Sequence, residues 1–243
     1  MDKYWIYYEK FLPTMINSVK EHPLWNILQE NKWVPPEEQS VYKILLQELQ
    51  HYLKQGIVKL FGEEFLERRL TCYFSTENAT MSYSGRSLQP TPPPQSSFIQ
   101  SLLQLVNNNS FREECISVHP ELKDVMPKFN AVFINHYRPP SQTDKPDNIG
   151  IHSDDEKSIA SPVILSVTFC ESGGERVFKF HEKGKSSKTI ASFEIPNGAV
   201  IWMLAGCQQK YKHSVSDRKK NLNKQLITGG RINLTFRSIV VDK

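Results

Sequence analysis

Strict alternation of polar and apolar residues marks the end of the chain, where residues 231–237 read RINLTFR. A period of two is typical of a β-strand, because successive side chains of a strand point to opposite faces of the sheet. The alternation predicts a strand over 231–240. Similar short runs predict further strands at 131–137, 163–170, 176–181, 189–195, 199–204 and 211–215. Short strands of this number and spacing favour a sandwich or a jelly roll.

Helical spacing is confined to the first half of the chain. Apolar residues recur at every third or fourth position over Val41–Lys54, which predicts an amphipathic helix, and Phe98–Val106 predicts a second one. Between them, residues 69–84 are expected to form a hairpin of two short strands around 75–78. We therefore expect an α+β fold, in which an N-terminal helical layer supports a double-stranded β-helix (jelly roll).

The sequence His152-Ser153-Asp154, followed later by His213, has the composition of a metal site. Residues i and i+2 of an extended segment point to the same side, so His152 and Asp154 can bind one ion while a distant strand supplies the third ligand. Two imidazoles and one carboxylate make a facial triad for iron(II), which leaves coordination positions open. An isolated H-x-D occurs by chance in many chains, so this prediction depends on what else the sequence contains.

The polar face of 231–237 supplies that second signal, because Arg231, Asn233, Thr235 and Arg237 share one side of the predicted strand. This is either an edge strand with a solvated face or a barrel strand whose polar face looks into a pocket. In the second case the two arginines would suit a dicarboxylate, since guanidinium binds carboxylate through two parallel hydrogen bonds. Together with an iron triad, a dicarboxylate indicates 2-oxoglutarate.

The order of these short motifs resembles the AlkB family of iron(II)/2-oxoglutarate dioxygenases, most closely the members that repair alkylated nucleic acid. The likeness covers about residues 68–240 and is carried by Asn135-x-Tyr137, His152-x-Asp154-Asp155-Glu156, His213 and R-x-N-x-T-x-R at 231–237. Its specificity comes from several short motifs in the right order, not from the rarity of any one of them.

The resemblance implies Fe(II) and O2 as cofactors and 2-oxoglutarate as co-substrate. The metal ligands, and the catalytic centre, would be His152, Asp154 and His213. Arg231 would bind the distal carboxylate of 2-oxoglutarate, and Arg237 the carboxylate beside its keto group. The same pocket would be lined by Asn135, Tyr137, Asn233 and Thr235. By alternation along its strand, His136 should face away from that pocket.

The resemblance also implies a substrate, which is DNA and/or RNA carrying alkylated bases. The reaction would be oxidative demethylation of 1-methyladenine or 3-methylcytosine, releasing formaldehyde and coupled to decarboxylation of 2-oxoglutarate to succinate. Tyr83 would stack on the target base opposite His152, and Glu156 would accept from its exocyclic amine. Asp155 and Arg69 would lie close to the substrate. Since the methyl group lies on the pairing edge, the base would be flipped out or presented on a single strand.

Two segments follow from the same resemblance. Residues 1–67 would be an N-terminal helical and irregular extension packed on the core, and 68–243 the dioxygenase core. The core would contain a nucleotide-recognition hairpin at about 69–90 and the jelly roll at about 131–240. A long polar loop at 138–150 and an apparent insertion at 107–128 depart from the family pattern, and we expect them to bear on substrate choice.

Composition sets wide bounds on partners and compartment. The net charge of +4 and the pI near 8.7 permit nucleic-acid binding without demonstrating it. A basic cluster after His213 could contact phosphates (Arg218, Lys219, Lys220, Lys224), whereas a second group fits a solvated loop (Lys183, Lys185, Lys188). The four scattered cysteines favour a reducing, intracellular setting, nuclear or cytoplasmic. No run reaches the ~18 apolar residues of a membrane helix, and we expect a monomer.

Two other functions stay open on these residues. The same triad and arginines would serve an oxygenase that hydroxylates a protein or a small molecule, although Tyr83, Asp155 and Glu156 favour a nucleobase. A catalytically silent fold that binds nucleic acid is the other alternative, and the intact metal and arginine residues argue against it.

Overall fold

The structure, a computed structural model, describes residues 5–8, 41–60, 62–83, 85–95, 97–184, 186–216 and 220–242. Its helices are α1 (Val41–Leu49), α2 (Phe98–Val106), α3 (Asn109–Val118) and the short α4 (Cys207–Lys210). Its strands are β1 (Trp5–Tyr8), β2 (Lys54–Leu60), β3 (Glu63–Ser75), β4 (Met81–Tyr83), β5 (Arg86–Leu88), β6 (Ala131–Tyr137), β7 (Ile149–His152), β8 (Ile164–Cys170), β9 (Arg176–Glu182), β10 (Thr189–Ile195), β11 (Val200–Met203), β12 (Tyr211–Val215) and β13 (Arg231–Arg237). Among the described helices none is long and apolar enough to cross a membrane.

Two antiparallel sheets form the body of the fold. The major sheet has the order β1-β11-β8-β13-β6-β3-β2, and the minor sheet has the order β10-β9-β12-β7. They pack face to face through one buried cluster, in which Tyr137 and Ile164 of the major sheet meet Phe178 and Phe180 of the minor sheet. This is the expected jelly roll. A separate hairpin, β4–β5, lies outside both sheets.

A second buried cluster covers the other face of the major sheet. There Leu45 and Leu49 of α1, with Ile99 and Leu103 of α2, pack against the apolar side of β13 (Ile232, Leu234, Phe236). Ser97 caps the start of α2 by accepting a hydrogen bond from Gln100 N. The predicted helical layer is therefore confirmed, and it buries one face of the strand whose alternation was clearest in the sequence.

The position of β13 decides between the two interpretations of its polar face. The strand is hydrogen-bonded to β8 on one side and to β6 on the other, so it is not an edge strand. Its polar residues are all buried, with Arg231 only 1% exposed. The polar face therefore looks into the space between the two sheets.

Three features differ from the sequence-based expectations. The helix that begins at Val41 ends at Leu49, not at Lys54, because the chain turns into β2 and pairs with β3. Residues 69–75 are the end of the long strand β3 (Glu63–Ser75), and β4 pairs with β5 instead of folding back on β3. The proposed boundary between residues 67 and 68 lies inside β3, a continuous strand of the major sheet. In each case strand pairing overrides the local pattern, and for β3 one partner, β6, is distant in sequence.

The unassigned segments also acquire structure. Within 107–128 the chain forms α3 and a 3₁₀ turn at Pro120–Leu122. The polar loop 138–150 contains a 3₁₀ turn at Pro140–Gln142 and leads into β7 (Ile149–His152), a strand that the sequence did not reveal. The loop is closed by an ion pair between Arg138 and the buried Asp147, 2.9 Å apart.

The four cysteines are free, and His136 faces away from the intersheet space to meet the Tyr42 hydroxyl of α1 at 3.0 Å, as expected.

We predict that Leu234→Ala will lower the free energy of unfolding by about 2–5 kcal/mol, because it leaves a cavity where β13 meets α1. Urea denaturation followed by circular dichroism measures this change. Leu226→Ala is the control, since Leu226 is 63% exposed, and it should change stability by less than about 0.5 kcal/mol. Equal losses in the two variants would contradict the assigned core.

Candidate active site

His152, Asp154 and His213 converge between the two sheets, with their ligand atoms within 4.8 Å of one another. Asp154 Oδ1 lies 3.7 Å from His152 Nε2, and Asp154 Oδ2 lies 3.8 Å from His213 Nε2. The antiparallel pairing of β12 with β7 brings the two histidines together, because His213 lies directly opposite His152. Three donor atoms at these distances can bind one metal ion with a small contraction.

The protonation states favour metal binding. Burial lowers the pKa of His213 to about 3 and also lowers the pKa of His152, so both imidazoles are neutral at pH 7 and retain a lone pair. Burial alone would raise the pKa of Asp154, but the charge of the neighbouring Arg237 guanidinium outweighs it and holds the pKa at about 2. The cluster therefore presents two neutral nitrogen donors and one carboxylate, which is the donor set of a non-haem iron(II) site.

Neighbouring groups orient these ligands. His152 Nδ1 is 2.9 Å from Gly150 O, which assigns the proton to Nδ1 and leaves Nε2 free for the metal. The Asp154 backbone N–H donates to Gln208 Oε1 at 2.9 Å, and Gln208 is itself buried on α4. The ring of His213 stacks on Phe178, with centroids 5.5 Å apart. No sequence pattern pointed to Gln208 or Phe178, because their roles depend on strands and a turn distant from the H-x-D motif.

Arg231 is a buried cation whose hydrogen bonds are incomplete. Its Nη2 donates to Thr168 Oγ1 at 2.9 Å and its guanidinium lies 4.9 Å from the centroid of the Tyr137 ring, but Nε and Nη1 have no partner. Burial lowers its pKa, and no carboxylate of the described residues forms an ion pair with it. Buried charges are normally paired. Unused donors on a buried arginine therefore indicate a site for an anionic ligand.

Arg237 lies at the other end of the same strand, beside the metal cluster. Its Nη2 is 2.8 Å from Asp154 Oδ1, and its guanidinium is 5.6 Å from the centroid of the Phe133 ring. Its Nε has no partner. A ligand that binds the metal through a carboxylate would come within reach of this second guanidinium.

The remaining predicted pocket residues lie where alternation places them. In the register of the major sheet, Asn233 lies opposite Asn135 and Arg231 opposite Tyr137. Asn233 Nδ2 donates to Ser166 Oγ at 2.7 Å, and Thr235 Oγ1 donates to Asn233 Oδ1 at 3.3 Å. One cavity is lined by the metal cluster together with Asn135, Tyr137, Asn233, Thr235 and Arg237. Ser166 and Met203 also line it, and sequence reasoning missed both.

The predicted substrate residues divide into buried and exposed ones. Tyr83 borders the cavity, as His152 does, but it is buried against Phe133, with ring centroids 4.8 Å apart. Arg69, expected beside the nucleic acid, is also buried, and its donors are directed to Asn135, Glu67 and Tyr83. This burial places Arg69 behind Tyr83 instead of at the surface.

The two acidic residues after Asp154 differ from each other. Asp155 is exposed and pairs with Lys183 at 2.6 Å, beyond the cavity. Glu156 is half-buried, and its Oε2 is a buried acceptor without a partner. Burial, followed by the charge of Asp154, raises the pKa of Glu156 to about 7. Of the predicted basic residues, Lys220 and Lys224 are exposed, whereas Arg218, Lys219 and Lys185 lie outside the described residues.

An outer groove leads from the protein surface to the metal cluster. It has a volume of about 510 Å³ and is lined by β3, by the segment 148–152 and by Tyr83, so that Tyr83 and His152 belong both to this groove and to the inner cavity. The volume lies within the roughly 300–1,000 Å³ typical of ligand sites. The site therefore has an enclosed anion-binding end and an open end.

The sequence matches the model of the 2OG-Fe(II) oxygenase superfamily over residues 28–237. It is 30% identical over 216 residues to the DNA oxidative demethylase ALKBH2 of Homo sapiens, a match that covers 85% of this chain and 70% of the relative. The chain belongs to the AlkB family of 2OG-Fe(II) oxygenases. The alkB homolog 3 of Rattus norvegicus, an alpha-ketoglutarate-dependent dioxygenase, is 30% identical over 122 residues, 47% of this chain and 37% of that relative. The solved structure of OsALKBH1 covers 98% of this chain and 99% of its own, with 12% identity and a TM-score of 0.49.

As an AlkB-family member the protein is an Fe(II)/2-oxoglutarate-dependent dioxygenase, and its cofactors are Fe(II), 2-oxoglutarate and O2. The residues present fit this requirement. The neutral histidines and ionised carboxylate suit Fe(II), and the unused donors of Arg231 and Arg237 suit the two carboxylates of 2-oxoglutarate.

We predict that Arg231→Met will leave the stability of the ligand-free AlkB-family protein unchanged or raise it, because the substitution removes an incompletely paired buried cation. Stabilisation by added 2-oxoglutarate should disappear in the same variant. Thermal unfolding with Mn(II), with and without 2-oxoglutarate, measures both effects.

Arg176→Met is the matched control, because Arg176 is equally buried but donates to the carbonyls of Gly174, Arg138 and Gly229. Its loss should cost about 2 kcal/mol or more. If Arg231→Met destabilised the ligand-free protein as much as Arg176→Met, Arg231 would be a structural residue instead of a ligand-binding one.

Proposed function

We propose that this dioxygenase removes methyl groups from nitrogen atoms of bases in DNA and/or RNA, with 1-methyladenine and 3-methylcytosine as the target bases. The observation that carries the proposal is the layout of the site. The three metal-binding side chains and Arg237, which has an unused donor, line one buried cavity. Arg231, whose donors are also unused, lies on the same face of β13, and an outer groove is bordered by Tyr83 and His152. The printed names of the relatives, a DNA oxidative demethylase among them, point the same way.

In this proposal the metal is held by His152, Asp154 and His213. Arg231, at the opposite end of β13 from Arg237, binds the distal carboxylate of 2-oxoglutarate, with Tyr137 and Thr168 beside it. Arg237 binds the carboxylate next to the keto group, close to Asp154. Asn135, Asn233 and Thr235 line the space between these ends.

Bound iron and 2-oxoglutarate would activate O2: one oxygen atom would go to succinate as 2-oxoglutarate loses carbon dioxide, and the other would go to the methyl group, which becomes a hydroxymethyl group. The resulting N-hydroxymethyl group loses formaldehyde and leaves the unmodified base. The protein contributes orientation and exclusion of water: the cavity residues are buried, and the methyl group has to approach from the outer groove past His152.

The base would lie between Tyr83 and His152, which both border the groove. The unpartnered Oε2 of Glu156 supports a role as acceptor for the exocyclic amine that adenine and cytosine carry. Methylation of the pairing edge weakens the base pair, so extruding such a base costs less than the few kcal/mol of an intact pair. Lys220 and Lys224, both exposed, are candidates for phosphate contacts. Action as a monomer in the nucleus or cytoplasm belongs to the same proposal.

We predict that the native protein, given Fe(II), 2-oxoglutarate and ascorbate, will remove the methyl mark from oligonucleotides carrying 1-methyladenine or 3-methylcytosine. Asp154→Ala should be inactive, because it loses the only carboxylate among the three metal-binding side chains. Nucleoside mass spectrometry on matched single- and double-stranded DNA and RNA checks this and ranks the substrates. Succinate formation without loss of the methyl mark would instead indicate an oxygenase acting on a protein or a small molecule.

We also predict that the protein will prefer 1-methyladenine and 3-methylcytosine, which carry an amine at C6 or C4, over 1-methylguanine and 3-methylthymine, which present a carbonyl oxygen at the same ring position. Because the pKa of Glu156 is raised to about 7, the lesions are compared at about pH 8, where the ionised carboxylate accepts from an N–H group but repels a carbonyl oxygen. Glu156→Gln should reduce the preference by about tenfold, since an amide can donate to the carbonyl. The measurement is product formation on the four lesions in one oligonucleotide context. Asp155→Gln, at the exposed neighbour, should leave the ratio unchanged.

A further inference from the structure

The carboxylate of Glu67 lies at the centre of a buried charge network that the metal and co-substrate sites do not use. Glu67 Oε1 accepts from Arg69 Nη2 at 2.7 Å, and Glu67 Oε2 accepts from Arg86 Nη2 at 2.8 Å. The Glu67 side chain is 1% exposed, and that of Arg69 is 5% exposed. Removing any one of these three groups would leave a buried charge without its partner, which strongly destabilises a protein.

This network surrounds Tyr83. The guanidinium carbons of Arg69 and Arg86 lie 5.8 and 5.7 Å from the centroid of the Tyr83 ring. Arg69 Nη2 also donates to the Tyr83 hydroxyl, and Arg69 Nε donates to Asn135 Oδ1 at 2.7 Å. Arg86 is on β5, the partner of the strand that carries Tyr83. The Glu67 carboxylate on β3 therefore contacts two other parts of the fold. It binds Arg86 of the β4–β5 hairpin directly, and through Arg69 it is linked to Asn135 on β6.

The backbone is built around this contact. A Cβ atom at Gly56 on β2 would lie 2.1 Å from both Arg86 Nη1 and Glu67 Oε2. The pairing of β2 with β3 shifts register at this point, between Gln55 and Ile57. Glycine is thus the residue that allows the strand to pass over the ion pair.

We propose that Glu67 is a positioning residue, which orients Tyr83 for the target base by holding the guanidinium groups of Arg69 and Arg86 against it. The inference rests on the proposed function, because it assigns Tyr83 to the base. Glu67 itself lies behind Tyr83 and acts through the two arginines. Loss of its charge should free the hairpin while leaving the metal ligands and Arg231 in place.

The first test is independent of any substrate. Hydrogen–deuterium exchange on the full-length native protein and on Glu67→Gln should show faster exchange over residues 81–88 in the variant, and unchanged exchange over 231–237. Glu63→Gln is the control, because Glu63 is an exposed residue of the same strand and loses the same charge. Unchanged exchange over 81–88 in a folded Glu67→Gln protein would overturn the proposal.

The second test separates positioning from general destabilisation. In Glu67→Gln, the KM for a methylated oligonucleotide should rise about tenfold, as expected for loss of one charge-assisted hydrogen bond. The affinity for 2-oxoglutarate with Mn(II) should stay within about twofold. Tyr83→Phe removes the hydroxyl that accepts from Arg69, so the effects of Glu67→Gln and Tyr83→Phe on KM should be less than additive in the double variant. Full additivity would overturn the coupling.

Gly56→Ala provides a second route if Glu67→Gln does not fold. The added methyl group forces apart Arg86 and Glu67 while both charges remain, and it should reproduce the faster exchange over 81–88. Retained protection there would contradict the proposal. If the native protein demethylated no oligonucleotide, the proposed function would be wrong. The exchange experiment would still show whether Glu67 holds the β4–β5 hairpin in place.

Discussion

The pairing of β12 with β7 is the constraint on which the active site depends. It places His213 opposite His152, and the extended chain then brings Asp154 to the same side two residues later. A register slip of one residue would turn His213 to the opposite face of its strand and remove one metal ligand. Two further contacts stabilise this register. His213 stacks on Phe178, and the Asp154 backbone N–H donates a hydrogen bond to Gln208.

Charge organises the remainder of the intersheet space. Arg176 uses its buried donors on backbone carbonyls, Arg69 is neutralised by Glu67, and Arg237 lies against Asp154. In the described part of the chain, Arg231 alone among these four combines buried donors that lack a hydrogen-bond partner with the absence of a carboxylate partner. An incompletely paired buried cation lowers the stability of the ligand-free protein. An anionic co-substrate that pairs with it removes this destabilisation, and the affinity for the ligand is therefore higher. The unpartnered Oε2 of Glu156 is likewise a buried acceptor, and a ligand that donates a hydrogen bond would satisfy it.

Much of the catalytic core could be predicted from local patterns. The alternation of 231–237 indicated a strand with a functional face, and Phe98–Val106 has the bounds that its helical spacing predicted. Two of the metal ligands could be predicted from the H-x-D motif, because residues i and i+2 of an extended segment point to the same side whatever the rest of the fold. By contrast, β2 and the first half of β3 escaped prediction, since they lie at the edge of the sheet and carry a mixture of charged and apolar residues without strict alternation.

The sequence by itself determined which residues share a face, because the periods of strand and helix are properties of the local backbone. Family likeness added the chemical roles expected of those residues. Only the tertiary structure decided which faces meet: that Arg69 lies buried behind Tyr83, that Gln208 orients Asp154, and that Glu67 joins Arg69 to Arg86. These contacts join residues through separate strands and turns, and their geometry depends on how the sheets and the β4–β5 hairpin pack, which no local pattern encodes.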